Sequence, residues 1–151
     1  MRRFSRSWKV LAVGLCLTYC VGCRRSAEHL ESFEEVMCTD MGGVTRPCDE
    51  VLANSSVLVF SPLCPICREV VRALNHTADV VAVSPQSMAY LRYYQLKIPV
   101  QFPIYKVSTD KLRAIGVASV PCLLEVGRNG RVFDIEHGIP EILLKLGKSE
   151  E

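Results

Sequence analysis

The sequence predicts an α/β fold, and three observations carry that prediction. The uninterrupted run Val57 to Phe60 consists of β-branched and bulky residues and suits a strand buried on both faces, and residues 79–83, DVVAV, form a second such run. Between the two runs, apolar residues recur at three- and four-residue steps, as they do on an amphipathic helix. A strand, a helix and a strand within about thirty residues favour a right-handed parallel crossover. Towards the end of the chain, an Asn129-Gly130 turn between two apolar runs predicts a hairpin.

Residues 1–22 are predicted to be an export signal or membrane anchor. The opening MRRFSRSWK is basic, and the apolar run Val10 to Gly22 that follows is shorter than the roughly 20 residues of a membrane-spanning helix. The stretch YCVGC resembles a bacterial lipoprotein signal in which Cys23 would accept the lipid, although Cys20 replaces the usual leucine and two arginines follow. We therefore expect an exported, membrane-associated protein on the periplasmic or outer cell-surface side of a bacterial membrane.

Length and composition predict one folded domain that does not bind nucleic acid. The 151 residues are 49% hydrophobic, which is ample for a core. Four of the 18 basic residues lie in the leader, which leaves 14 against 16 acidic residues and no basic stripe. The 8 cysteines are many for this length and fit an oxidising compartment. No cofactor is predicted.

Residues 23–52 are predicted to be a linker between the leader and the folded domain. Apolar residues at helical steps between residues 26 and 37 indicate a surface helix or a spacer. The turn-rich stretch that follows carries Cys38 and Cys48, which could close a small loop as a structural disulfide in an exported protein. A second redox pair and two free thiols are the alternatives.

The chemistry is predicted to lie at Cys64 and Cys67, a C-P-I-C motif between the first buried strand and its helix. Unpaired N–H groups in the first turn of a helix, together with the helix dipole, stabilise negative charge. Helix N-termini and C-x-x-C settings lower the pKa of a cysteine from about 8.5 to roughly 3.5–7.5. Cys64, which comes first and is more open, is the predicted nucleophile. Cys67 would attack the mixed disulfide at Cys64 and release the partner, and Pro65 fits a first helical turn.

The rest of the chain reads as alternating helices and strands. We predict a helix over residues 87–98, a short extended piece over 102–105, and a helix that Ser108 caps and Gly116 ends. Two hairpin strands, 122–126 and 131–135, follow, and a helix over residues 139–146 closes the chain.

Several of these motifs together resemble those of a known protein family. The C-x-x-C after the first central strand, the Val120-Pro121 dipeptide before a hairpin strand and the last helix together resemble the thioredoxin superfamily, in its exported redoxin branch. The segment FPIYKVSTDKLRAIGVASVPCLLEVGRNGRV is similar to the FP…D…GV…VP…DGKV pattern of the cytochrome-maturation, TlpA-like thiol reductases. SPLCPIC is close to the SPTCPVC of the methylamine-utilisation accessory proteins. The resemblance covers about residues 53 to 147. It implies that residues 53–148 form a thioredoxin-like three-layer α/β/α sandwich with a mixed central sheet.

The same resemblance implies a protein-disulfide oxidoreductase, with its direction, reductase or oxidase, left open. Pro121 would be cis and lie against the two cysteines, so that the backbone of Val120 can pair with an extended substrate segment. The implied partners are a thiol- or disulfide-bearing protein substrate and a redox partner protein. Three positions depart from the pattern: Leu63 replaces a common tryptophan, Leu58 a buried acid that would accept the proton of the second cysteine, and Cys122 a threonine.

Other functions remain open alternatives. An exported copper or metal-binding chaperone would use Cys64, Cys67 and His137 as soft ligands. No structural zinc site is predicted, because such a site needs a second ligand pair within the folded domain. The other C-x-x-C, Cys20 and Cys23, belongs to the YCVGC stretch of the leader, and the sequence holds no H-x(3–5)-H. A peroxidase of the peroxiredoxin type would carry a proline where Val57 stands. A non-enzymatic interaction domain would not need the intact cysteine pair.

Overall fold

A mixed sheet of seven strands forms the centre of the fold. The computed structural model describes residues 32–75, 79–138 and 142. Within them, the elements in chain order are β1 (Met37–Asp40), β2 (Thr45–Pro47), α1 (Cys48–Val51), β3 (Ser55–Val59), α2 (Pro65–Leu74), β4 (Val80–Ser84), α3 (Met88–Lys97), β5 (Ile104–Lys106), α4 (Thr109–Ala114), β6 (Cys122–Val126) and β7 (Val132–His137). The strand order across the sheet is β2-β1-β5-β4-β3-β6-β7.

The three central strands are parallel, and the outer ones join them antiparallel. β3 pairs with β4 and β4 with β5 in the parallel sense, whereas β6 joins β3, and β1 joins β5, antiparallel. β3 enters α2 and β4 follows, so the crossover predicted from the apolar runs is confirmed. These strands have buried residues on both faces because helices or irregular segments cover each side of the sheet.

Two apolar clusters pack on opposite faces of the sheet and make the fold three-layered. Leu58 and Phe60 of the β3 segment pack with α2 and α3 in one cluster, which also contains Ile142. Val57 and Val59 point the other way, into a cluster with α4 and the N-terminal segment. Side chains alternate between the faces of a strand, so β3 serves both clusters. The predicted α/β/α sandwich with a mixed sheet is confirmed.

The region predicted to be a linker is part of the fold in its described portion. Residues 37–40 and 45–47 form the hairpin β1–β2, which extends the sheet beyond β5, and α1 follows directly. No helix covers residues 32–37: Phe33 and Val36 are buried beneath the sheet, and Glu35 has φ 60. The apolar spacing that indicated a helix instead reflects a turn that places both side chains in the core. Leader residues 1–22 and Cys23 lie outside the described residues.

The later elements follow the sequence pattern. Ser108 caps α4 by accepting the N–H of Lys111, and Gly116 follows the helix with φ 92. β6 and β7 form the predicted hairpin, with a bulge at Glu125/Val126 and Gly130 in its turn. The predicted helix over 139–146 lies outside the described residues except for Ile142, which is buried. Within the part of the chain described here, no helix is both long and apolar enough to cross a bilayer.

Candidate functional site

Cys64 lies where β3 has ended and α2 begins. It is the N-cap of α2, with extended backbone angles, and Pro65 takes the first helical position, where its missing N–H is not needed. The Cys64 sulfur accepts the backbone N–H of Cys67 at 3.3 Å. Cys64 is half-buried. A negative charge on this sulfur would therefore be stabilised by a first-turn N–H and the helix dipole while it remains open to a partner.

Cys67 lies one turn further in and is fully buried against β3 and α3. Burial raises the pKa of the Cys67 thiol to about 12, and the adjacent Cys64 and the nearby Cys122 act in the same direction. The N–H of Ser61, 3.5 Å from the Cys67 sulfur, opposes them. The pair thus consists of one open sulfur at a helix N-terminus and one buried thiol behind it.

Ser61 connects the loop before the motif to both cysteines. Its carbonyl oxygen accepts the N–H of Cys64 at 3.0 Å, and its hydroxyl accepts the N–H of Leu63 at 3.3 Å. The side-chain amide of Gln86, on the segment between β4 and α3, lies 3.5 Å from the same hydroxyl. Neither Ser61 nor Gln86 was predicted from the sequence to belong to the site. The serine three residues before Cys64 was the available signal for Ser61.

The Val120-Pro121 peptide bond is cis, as the resemblance implied. β6 begins directly after it, and Cys122 pairs with Val59 at the carboxyl end of β3, the strand end from which the chain continues to Cys64. Val120 is half-buried and packs against both apolar clusters, including the one that contains Cys67. The structure therefore brings the Val120-Pro121 segment to the same end of the sheet as the cysteine pair.

Cys122 is turned away from the helix that carries the motif. Its side chain is wholly buried in the cluster on the α4 face, whereas Cys67 belongs to the cluster on the α2 face. Burial raises the pKa of Cys122 to about 12. The Cys122 side chain is thus directed into the core.

The surface around Cys64 is apolar. Leu63 and Ile66, on either side of the cysteine, are 60% and 52% exposed. Large apolar side chains with that exposure next to a nucleophile provide contact area for an incoming chain.

The position of the buried acid is filled by Leu58, which is fully buried in the α2 cluster. Tyr94 of α3 lies in the same cluster, 5.6 Å from Phe60 between ring centroids. Its hydroxyl is buried and has no hydrogen-bond partner among the described residues. Burial raises the pKa of Tyr94, and the charge of Cys67 adds to this effect. Tyr94 therefore stays protonated at neutral pH.

The residues that would bind a metal in the chaperone alternative do not form a cluster in the described part of the chain. His137 is exposed at the end of β7. Within residues 32–75, 79–138 and 142, no three His, Cys, Asp or Glu side chains are grouped so that they could hold a metal ion. Cys38 and Cys48 lie together in the N-terminal hairpin region, in the cluster on the α4 face.

Comparison with solved structures identifies the architecture. The described sheet aligns with the thioredoxin domain of a thiol-disulfide oxidoreductase from Bacteroides vulgatus at a TM-score of 0.60 and 15% identity, over 76% of this chain and 92% of that one. The fold is thioredoxin-like. A secreted disulfide oxidoreductase from Mycobacterium tuberculosis, homologous to E. coli DsbE, aligns at a TM-score of 0.57 and 13% identity, over 74% and 94% of the two chains.

A third similar structure is the exposed lipoprotein thioredoxin of Streptococcus pneumoniae. It aligns at a TM-score of 0.53 and 18% identity, over 74% of this chain and 97% of that one. No protein-family model matches the sequence, and no curated protein matches it. The thioredoxin-like fold therefore rests on structure, and the chemistry has to be argued from the cysteines themselves.

Proposed function

We propose that this chain is a thiol-disulfide oxidoreductase that acts on exported proteins through Cys64 and Cys67. The observation that carries the proposal is the asymmetry of the pair. The Cys64 sulfur is accessible and accepts a first-turn N–H, whereas Cys67 is buried one turn behind it. Exchange between two proteins needs one sulfur that can be reached and a second that resolves the linkage. The thioredoxin-like relatives described as thiol-disulfide oxidoreductases support the same reading.

In the reducing direction the reaction has two exchanges. The Cys64 thiolate attacks one sulfur of the substrate disulfide, forms a Cys64–substrate bond and expels the other substrate sulfur as a thiolate, which takes a proton. Cys67 then loses its proton and attacks the Cys64 sulfur. This step closes the Cys64–Cys67 disulfide and releases the second substrate thiol, so two electrons pass from the protein to the substrate. Oxidation of a substrate dithiol is the same sequence in reverse.

The substrate segment would bind beside the cis peptide bond. Val120 lies at the same sheet end as Cys64, and its backbone could pair with an extended chain, with Leu63 and Ile66 supplying apolar contact. The partners are thus protein segments that carry a disulfide or a dithiol.

Export is part of the proposal. The basic and apolar leader supports it, as do relatives described as a lipoprotein and as a secreted protein. Cys23 is the proposed lipid-bearing residue, and mass spectrometry of the purified protein would detect its lipid. The preferred direction follows from the reduction potential, since potentials in this class of proteins run from roughly −270 to −120 mV.

Single cysteine variants test the proposal. We expect Cys64→Ser to abolish disulfide reduction of insulin, because the accessible nucleophile is lost. We expect Cys67→Ser to accumulate a mixed disulfide on Cys64, visible on a non-reducing gel, because nothing resolves it. Cys122→Thr, the matched control, should keep its turnover because that thiol faces the opposite cluster. Full turnover by Cys64→Ser would refute the proposal.

A further inference from the structure

A second pair of cysteines lies outside the C-P-I-C segment. Cys38 is in β1, and Cys48 begins α1 directly after β2. In the hairpin register Cys38 faces Arg46, and the N–H of Cys48 donates to the carbonyl oxygen of Val36 at 2.7 Å. That hydrogen bond continues the hairpin pairing by one position, with Cys48 opposite Val36, so the two cysteines are diagonal neighbours across the hairpin.

Both side chains point into the core on the α4 face. Cys38 is 1% exposed and Cys48 0% exposed. The two thiols are hydrogen-bonded to each other, which lowers the pKa of Cys38 and raises the pKa of Cys48. They are free in this structure. The fold therefore already holds the two sulfurs next to each other, as a disulfide between them requires.

We infer that in the exported protein Cys38 and Cys48 are joined in a structural disulfide that closes the β1–β2 hairpin and takes no part in substrate exchange. The oxidant is a disulfide of a small thiol or of another protein. The Cys38 thiolate attacks it and releases one thiolate; Cys48 then loses its proton, attacks the Cys38 sulfur and releases the second. Two protein thiols are oxidised, and one external disulfide is reduced to two thiols.

Burial separates this pair from the exchange site. Neither sulfur is exposed, so a protein disulfide cannot reach it while the hairpin is packed on the core. The bond would therefore form before the hairpin docks and persist afterwards. Cys64, by contrast, is half-buried at a helix N-terminus. The inference depends on export into an oxidising compartment but not on the activity of Cys64.

Disulfide mapping of the full exported chain tests the inference. Proteolysis after Arg25 and before Asp40 and Asp49 places Cys38 and Cys48 on separate peptides that carry neither Cys23 nor Cys64, so a linked pair of peptides identifies the bond by mass. We expect Cys38 linked to Cys48 in protein isolated without reductant. We also expect brief native treatment with dithiothreitol to open Cys64–Cys67 and to leave Cys38–Cys48 closed.

Two results would overturn the inference: alkylation of Cys38 and Cys48 as free thiols in the exported chain, or opening of their bond as fast as that of Cys64–Cys67. The second result would mark a second redox centre. If Cys64 proves inactive while the Cys38–Cys48 link is found, the proposed function fails and this inference stands.

Thermal unfolding supplies a readout that is independent of mapping. Under oxidising conditions the double variant Cys38→Ala, Cys48→Ala should melt roughly 10 °C below the parent protein. After full reduction in denaturant and refolding, the gap should shrink markedly. Cys122→Ala, which also removes a fully buried thiol, should show the same gap in both conditions. A gap for the double variant that does not depend on oxidation would contradict the inference.

Discussion

In the proposed exchange reaction, the resolving step requires Cys67 to lose its proton. Burial is the main reason that the pKa of Cys67 is raised to about 12, and Cys64 contributes through both a hydrogen bond and its charge. When Cys64 enters a mixed disulfide, its sulfur loses that charge, so this contribution disappears when Cys67 has to ionise. The Ser61 N–H, 3.5 Å away, then stabilises the forming thiolate. Leu58, at the position where the resemblance implies an acid, supplies no carboxylate for this step.

A substitution at Tyr94 tests whether its hydroxyl assists the ionisation of Cys67 in the resolving step. Its hydroxyl is buried without a hydrogen-bond partner in the described part of the chain, and such a group costs about 1–3 kcal/mol. We expect Tyr94→Phe to raise the free energy of unfolding by about 1 kcal/mol and to leave insulin reduction unchanged, as checked by urea unfolding and turnover. Tyr93→Phe, on the same helix but 56% exposed, is the control and should change neither. A marked loss of turnover in Tyr94→Phe would mean that the hydroxyl serves Cys67.

Local pattern predicted the residues whose roles depend on near neighbours. Cys64 and Cys67 were assigned from a strand, a turn and a helix within one short segment, and the structure has the same arrangement. Gln86 was missed because its contact with Ser61 joins residues 25 positions apart, through the pairing of β3 with β4. A single sequence carries no local mark of such a contact.

At the scale of elements, the turn between β6 and β7 is tightly packed against the N-terminal segment. The carbonyl oxygen of Gly130 accepts the N–H of Phe33 at 2.9 Å, and the backbone of Gly130 has φ 73. A Cβ at Gly130 would lie 2.7 Å from the Cβ of Asp49 and 3.1 Å from its Cα. The turn therefore has no room for a side chain on the side facing α1.

Alanine substitutions at two glycines of this hairpin should differ in cost. Gly130→Ala should lower the free energy of unfolding by about 2–4 kcal/mol, because it adds left-handed strain to a clash with backbone. At Gly127 the three atoms nearest to the new Cβ belong to the Phe133 ring, which is 62% exposed and can turn outward. Gly127→Ala should therefore cost about 1 kcal/mol. Equal losses in denaturant unfolding would contradict this account.

The N-terminal hairpin shows where element prediction failed. The stretch of residues 38–50 is rich in glycine and turn formers, which indicated a loop, and β1 and β2 are only four and three residues long. Strands this short have too few residues to show alternation. β1 pairs with β5, β2 pairs with β1, and Cys38, Cys48 and Phe33 lie in the core; only the folded chain brings these contacts together. The longer apolar runs of β3, β4 and β6 needed no such context and were predicted.

For the whole molecule, stability should depend on pH through the buried thiol of Cys122. Its pKa is 9.0 in an ordinary setting and about 12 in the fold, raised by burial. Between these values the unfolded chain loses the proton and the folded chain keeps it. The stability that the neutral thiol contributes is therefore complete below pH 9 and is lost as the pH rises towards 12, at up to about 1.4 kcal/mol per pH unit.

The comparison of reduced parent protein with Cys122→Ala isolates this effect. At pH 7.5 the variant should be less stable by about 1 kcal/mol, because it loses buried volume. The difference in the free energy of unfolding should shrink between pH 9 and 10.5, because only the parent protein has a Cys122 thiol that stays protonated when folded and so loses stability over this range. Urea unfolding with a non-thiol reductant measures the free energy of unfolding of both proteins at each pH. A difference that stays constant with pH would show that Cys122 does not keep its proton.

Ser32 and the cysteine pair lie at opposite ends of the sheet. Ser32 bridges to Arg131 beside the β6–β7 turn, at the end of the sheet where β3 begins. Cys122 and the loop to Cys64 lie at the other end of the same strands, about 14 Å further along four residues of β6. Ser32, the first residue that the structure describes, thus lies at the end of the sheet opposite the cysteine pair. In the proposed exported protein, a tether attached through the leader would therefore join the described fold at the end away from Cys64 and Cys67.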